Sequence, residues 1–183
     1  MKKQKGFSLI ELLIVVAIIL IIAAIAVPNL LKSKMAANEA SAAASLRTVG
    51  TANVTYSSTY NQGFAGTLAQ LGPTSGACAA PVNSACADLI DGVLAGVIGP
   101  GAPTATPTKQ GYMFSYFATN ADPSVTPNGT FSVAATPVSP TATGTSTFCI
   151  DQTNVTRKDP TGVAQVGDVA GCSVGAFSAI NPL

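Results

Sequence analysis

The chain has 183 residues, of which 48% are hydrophobic and only 9% charged, with a net charge of +1 and no histidine. That balance supplies no basic surface for nucleic acid. Without histidine neither a Ser–His nor a Cys–His pair can be built, so no enzyme and no catalytic residue is expected. The order of the elements along the chain then decides what kind of non-catalytic protein this is.

Three lysines, Lys2, Lys3 and Lys5, precede a Gly6–Phe7 junction. From 7 to 31 the only charge is Glu11, and from 12 to 27 there is no polar side chain. As a helix rising ~1.5 Å per residue, this stretch reaches about 38 Å, more than the roughly 30 Å of a bilayer's hydrocarbon core. A membrane span follows, and basic residues ahead of it stay on the cytoplasmic side, so the remainder lies outside. Ala23, Ala24 and Ala26 also provide the small residues of an ordinary secretory cleavage site. Glu11 suits a plain anchor poorly, because an acid costs ~2.5–3.5 kcal/mol near the bilayer centre, though less this close to the interface. It reads either as an acid snorkelling to the headgroups or as a charge that requires a partner.

The run Lys5-Gly6-Phe7-Ser8-Leu9-Ile10-Glu11, followed by hydrocarbon and Pro28, resembles the prepilin start of type IV pilins and of the pseudopilins of type II secretion. The resemblance covers only the N-terminal part of the chain. It implies cleavage between Gly6 and Phe7 by a membrane-embedded prepilin peptidase, and N-methylation of Phe7. It also implies assembly through Glu11, whose carboxylate would neutralise the new Phe7 amine of a neighbouring subunit. Gly6 suits a protease site because it has no side chain to obstruct approach. Either charge buried singly costs several kcal/mol, so the pair would fix axial register more than it would add stability. Pro28 has no amide hydrogen and crowds the carbonyl of Ala24, which predicts a kink or loosening. The resemblance implies a stretch that unwinds in the filament, and the alternative is a simple helix break where the span ends.

Beyond the span, Lys32 and Lys34 mark its end, and 32–60 continues as an amphipathic helix with Leu46, Val49, Ala52, Val54 and Tyr56 near helical spacing. Gly50 and the Thr-rich residues after it weaken the pattern. Residues 61–66 break the helix, and 67–73 form one short turn. A loop region, 72–110, holds Cys78 and Cys86, and within it 87–95 predicts a short amphipathic helix with Asp88 and Asp91 on one solvated face. Strands follow at 111–117, 129–135, 146–150 and 154–157, the last two joined by a turn at Asp151-Gln152-Thr153. The uncharged tail after Asp159-Pro160 is expected to pack against the sheet or a neighbour. The fold class is therefore α+β: a long N-terminal helix packed on a small antiparallel sheet, a layout that matches the pilin head. The expected organisation is a leader at 1–6, an apolar helix at 7–31, an amphipathic continuation at 32–60 and a head at 61–183, with antiparallel strands across 111–157.

Four cysteines in an exported domain predict two disulfides. Three pairings satisfy the count. Cys78–Cys86 with Cys149–Cys172 is preferred because both bridges close short loops, each contributing about 2–4 kcal/mol, and the second resembles the C-terminal loop of many pilins. A Cys86–Cys149 arrangement stays open. No metal site is expected, since Asp151, Asn154 and Asp159 lack the spacing of an EF-hand loop. Asn53, Asn128 and Asn154 each begin an N-glycosylation pattern, which is weak evidence because the prepilin resemblance points to a prokaryote.

These features together predict a structural subunit of a type IV pilus, with no cofactor. Its partners would be copies of itself, the prepilin peptidase and the inner-membrane assembly machinery. It would reside as a single-pass precursor in the inner membrane and then at the cell surface in an extracellular filament. Two alternatives stand beside it: a pseudopilin forming a periplasmic pseudopilus in type II secretion, and an exported binding module held by a membrane anchor.

Overall fold

The computed structural model describes residues 8–73, 82–97, 104–120, 123–124, 126–162 and 172. One helix, α1, runs Leu9–Tyr60 over 52 residues, and a single turn, α2, follows at Leu68–Leu71. Five strands come next: β1 at Thr108–Lys109, β2 at Tyr112–Ala118, β3 at Phe131–Pro137, β4 at Thr147–Asp151 and β5 at Arg157–Asp159. They form one antiparallel sheet in the order β1-β2-β3-β4-β5, with Phe114 opposite Ala135 and Ala134 opposite Cys149. The architecture is α+β and pilin-like. By compactness the chain divides into two units, Met1–Lys34 and Met35–Leu183. The amphipathic continuation of α1 thus belongs to the same unit as the sheet.

Within that second unit the helix presents Ala42, Leu46, Val49 and Tyr56 on one buried stripe at helical spacing. Opposite lie Phe114 from β2, Phe131, Val133 and Ala135 from β3, and Phe148 and Ile150 from β4, while Leu68, Leu71 and Leu94 close one end. Phe131 is the aromatic hub. Phe64 meets it edge-on at 4.8 Å between centroids, and Tyr116 stacks over it at 6.1 Å. The β1–β2 hairpin turns through Gln110 and Gly111, both left-handed (φ 50° and 74°), the primed geometry that matches strand twist.

Buried amides join these layers. The Asn53 side chain, on α1, accepts the Ala65 N–H at 3.2 Å, and its Oδ1 lies 2.9 Å from the Tyr116 hydroxyl. That hydroxyl is also 2.7 Å from the Ala65 carbonyl, so its one proton serves either acceptor. Burial pushes the Tyr116 phenol up, keeping it a donor. Asn128 gives its carboxamide protons to the carbonyls of Phe64 and Asn120 and accepts the Asn120 N–H. Both Asn53 and Asn128 are essentially inaccessible, which removes two of the three glycosylation patterns from consideration.

Several expectations need correction. Residues 87–95 are not a helix. Leu89 and Ile90 donate to the Leu71 carbonyl and Asp88 to that of Gly72, which holds the segment alongside the end of α2, and Asp88 adopts φ 53°. Only 92–96 turns, started by Asp91 Oδ1 accepting the Leu94 N–H. The last strand is β5 at Arg157–Asp159, later than the 154–157 expected, because Asp151 Oδ1 accepts the Thr153 N–H and hydroxyl and prolongs the turn. The helix does not break at Pro28, which lies inside α1. The tail lies outside the described residues apart from Thr161, Gly162 and Cys172.

Candidate functional site

Between Leu9 and Leu31 large apolar side chains are exposed on every side of α1, from Leu9 at 75% to Leu30 at 70%. By length and composition this helix is able to cross a membrane. Its start is a capped one. Ser8 precedes the first helical residue, its carbonyl accepts Glu11 and Leu12 N–H, and Glu11 Oε2 accepts the Ser8 N–H at 2.9 Å. Ser8-Leu9-Ile10-Glu11 is thus a Ser-x-x-Glu capping sequence with its glutamate reaching back. The sequence reading gave Glu11 a snorkelling or an intermolecular role and missed the cap, although the spacing from Ser8 was there to read. Gly6 and Phe7 lie outside the described residues.

Side-chain donors lie close to Pro28. The Asn29 carboxamide donates to the Ile25 carbonyl at 3.1 Å, and Ser33 Oγ donates to the Asn29 carbonyl at 3.0 Å. Neither acceptor is the Ala24 carbonyl whose backbone partner proline removes, so they tie down the neighbouring turns without replacing that bond.

In the second unit, Asn38 and Glu39 fasten the helix to the β3–β4 loop and β5. Asn38 Nδ2 donates to the Thr143 carbonyl at 2.8 Å. Glu39 Oε1 accepts the Thr145 N–H at 2.9 Å, the Thr145 hydroxyl at 2.9 Å and the Ser146 N–H at 3.1 Å, while Oε2 meets Lys158 Nζ at 3.1 Å. Burial alone would raise the Glu39 carboxyl. The Thr145 amide, Lys158 and the Thr145 hydroxyl outweigh it and hold it at about 2, against an ordinary 4.5. Lys158 also sits over the Phe148 ring at 5.5 Å. Sequence reasoning missed Glu39, because every partner it has is distant in the chain.

Gly50, which weakened the helical pattern, is where β4 and the β4–β5 turn press closest on α1. A Cβ there would overlap Ile150 Cδ1 and the Asn154 carboxamide. Asn154, where the third glycosylation pattern begins, reaches the helix here but is exposed, unlike Asn53 and Asn128. Cys149 and Cys172 are joined by a disulfide, and the Cys172 N–H donates to the buried Asp151 Oδ2 at 2.9 Å. Cys86 is disulfide-bonded, and Cys78, its preferred partner, lies outside the described residues. No group of three metal-ligating acids or cysteines occurs among the described residues, and the Asp151 and Asp159 carboxylates are taken up by local turns.

A capped hydrocarbon helix that continues into an amphipathic segment under a small antiparallel sheet is a pilin-like arrangement. Residues 1–27 match the family model described as the prokaryotic N-terminal methylation motif. The chain is also similar to the type IV wide pilus major component PilA4 of Thermus thermophilus, with 59% identity over 39 residues. That stretch is 21% of this chain and 30% of the relative, so the chain matches under a third of the relative's length. No solved structure matches. Motif and relative together support a type IV pilin-family prepilin.

Proposed function

We propose that this chain is the structural subunit of a type IV pilus. Processing cuts after Gly6 and methylates Phe7, and the mature chain polymerises through residues 7–31 into an extracellular filament. The observation that carries this reading is the coincidence of the methylation motif with a helix whose hydrocarbon surface no part of its own compact unit covers. Once that surface leaves the bilayer, copies of itself are the cover at hand, and removing it from water drives association. Head-to-tail contacts that do not close then give a helical polymer. In this scheme the Phe7 amine is neutralised by Glu11, Pro28 marks the stretch able to loosen, and the prepilin peptidase and inner-membrane assembly machinery are the partners. The similarity to a pilus major component favours a pilus over the pseudopilus of type II secretion.

The test is microscopy of filaments sheared from cells, with mass spectrometry of the N-terminal peptide. Thin filaments of this protein beginning at methylated Phe7 are the expected result. Processed protein kept in the envelope without filaments would transfer the assignment to a pseudopilus. An uncut N-terminus, or one beginning beyond Ala26, would contradict both.

A further inference from the structure

From Met35 to Tyr60, α1 carries two charges, Glu39 and Arg47. Glu39 is occupied by Lys158 and the Thr145–Ser146 backbone, whereas Arg47 is exposed and in no ion pair among the described residues. The helix face around Arg47 does not look made for water. Its exposed neighbours are Ala44, Thr48, Thr51 and Thr55, with no lysine or glutamate of the sort a solvated face carries. The threonine hydroxyls are turned back onto the helix: Thr48 donates to the Ala44 carbonyl at 3.1 Å, Thr51 to that of Arg47 at 3.0 Å and Thr55 to that of Thr51 at 3.1 Å. A groove runs along this face, with Leu89 on its rim. Arg47 is the one charge in it.

Residues 9–31 are the chemical complement. They offer bulky Leu, Ile and Val side chains on every side, exposed, with one charge of the opposite sign, Glu11. We propose that the apolar helix of a second copy of this chain lies in the Arg47 groove, with its Glu11 carboxylate on the Arg47 guanidinium. Covering the groove with hydrocarbon alone would strand a buried cation, and a Glu11 carboxylate that meets the Arg47 guanidinium as well as the Phe7 amine lowers that penalty. A guanidinium fits a carboxylate through two parallel hydrogen bonds. Glu11 keeps its cap at the same time, because one Oε2 bond to Ser8 leaves most of about four acceptor positions open. The two copies are then staggered along α1 by the interval from position 11 to position 47. This inference rests on the filament reading and adds to it a register contact made by side chains on both copies, beside the one made by the Phe7 amine.

The test uses the full chain expressed in its native host. Arg47→Gln and Arg47→Glu should each lower sheared filament yield about tenfold or more, while Arg47→Lys, which keeps the charge, should assemble. A photo-crosslinking residue at the exposed Thr48 in an otherwise wild-type chain should capture, within purified filaments, a peptide spanning 8–16 of another copy; this arm does not depend on any charge variant folding. Wild-type yield from Arg47→Gln, or a Thr48 crosslink confined to head peptides, would overturn the contact while leaving the filament reading intact. Absence of filaments from the wild-type chain would instead overturn both.

Discussion

The two halves of α1 have nearly the same backbone and opposite relations to water. In residues 42–56 Leu46, Val49 and Tyr56 are buried under a sheet that the same chain supplies, with Val54 left exposed, and the buried Asn53 is satisfied within the unit. In residues 9–31 the side chains are more apolar still and nothing in their own unit covers them. The head buries its own core, and under the proposed function the apolar helix exchanges one non-aqueous cover, the bilayer, for another.

The sharpest way to break this contrast is at Glu11. Glu11→Gln keeps the reach-back hydrogen bond to Ser8, which glutamine also makes, and removes only the charge. Filament yield should fall by about tenfold or more, while the head's thermal midpoint stays unchanged by calorimetry or circular dichroism. Glu11→Ala is the less informative variant, since it removes cap and charge together. A binding module on a plain anchor would tolerate the glutamine.

The reverse case, damage confined to the head, is next in size. Cys172→Ser opens the bridge to Cys149 and is expected to cost about 2–4 kcal/mol of head stability, read by denaturant unfolding. Gly50→Ala should cost about 1–3 kcal/mol, because the added methyl meets Ile150 and Asn154 in a packed interface, despite alanine's better helix propensity. A stabilising Gly50→Ala would show that the turn gives way freely.

Smallest is Glu39→Gln, about 1–2 kcal/mol for weakening charge-assisted bonds to Thr145, Ser146 and Lys158. It carries a pH signature. The folded-state carboxyl sits at about 2, below its ordinary 4.5. Its contribution is therefore complete above about pH 4.5 and disappears as pH falls through the folded value. Unfolding midpoints of wild type and Glu39→Gln should differ at neutral pH and converge near pH 2. Parallel curves down to that pH would show that the Glu39 charge does not fasten the helix to the sheet.

Much of this design is legible in the residue order. Hydrocarbon from 12 to 27, the aromatic run of β2, the alternation in β3 and the stripe Leu46, Val49, Tyr56 all announce their elements, and the Cys149–Cys172 bridge is among the pairings the sequence allows. What escaped detection depends on distant partners. Glu39 looks like an ordinary surface acid until Thr145 and Lys158 arrive from the other end of the chain. Asn53 and Asn128 look like glycan acceptors until Tyr116 and Phe64 enclose them. Residues 87–95 have helical spacing, but Leu71 and Gly72 offer their carbonyls first. β1 is two residues between Pro107 and a Gln-Gly turn, too short to show a period. At Glu11 the missed signal was local: a serine three residues upstream.

The most direct test of the central contrast is a cryo-electron microscopy map of sheared wild-type filaments at side-chain resolution. The account predicts that residues 9–31 line the axis, every exposed Leu, Ile and Val of the free chain buried by other copies, with heads outward. A filament held together by head contacts, with the apolar helix cleaved away or still embedded in lipid, would contradict it.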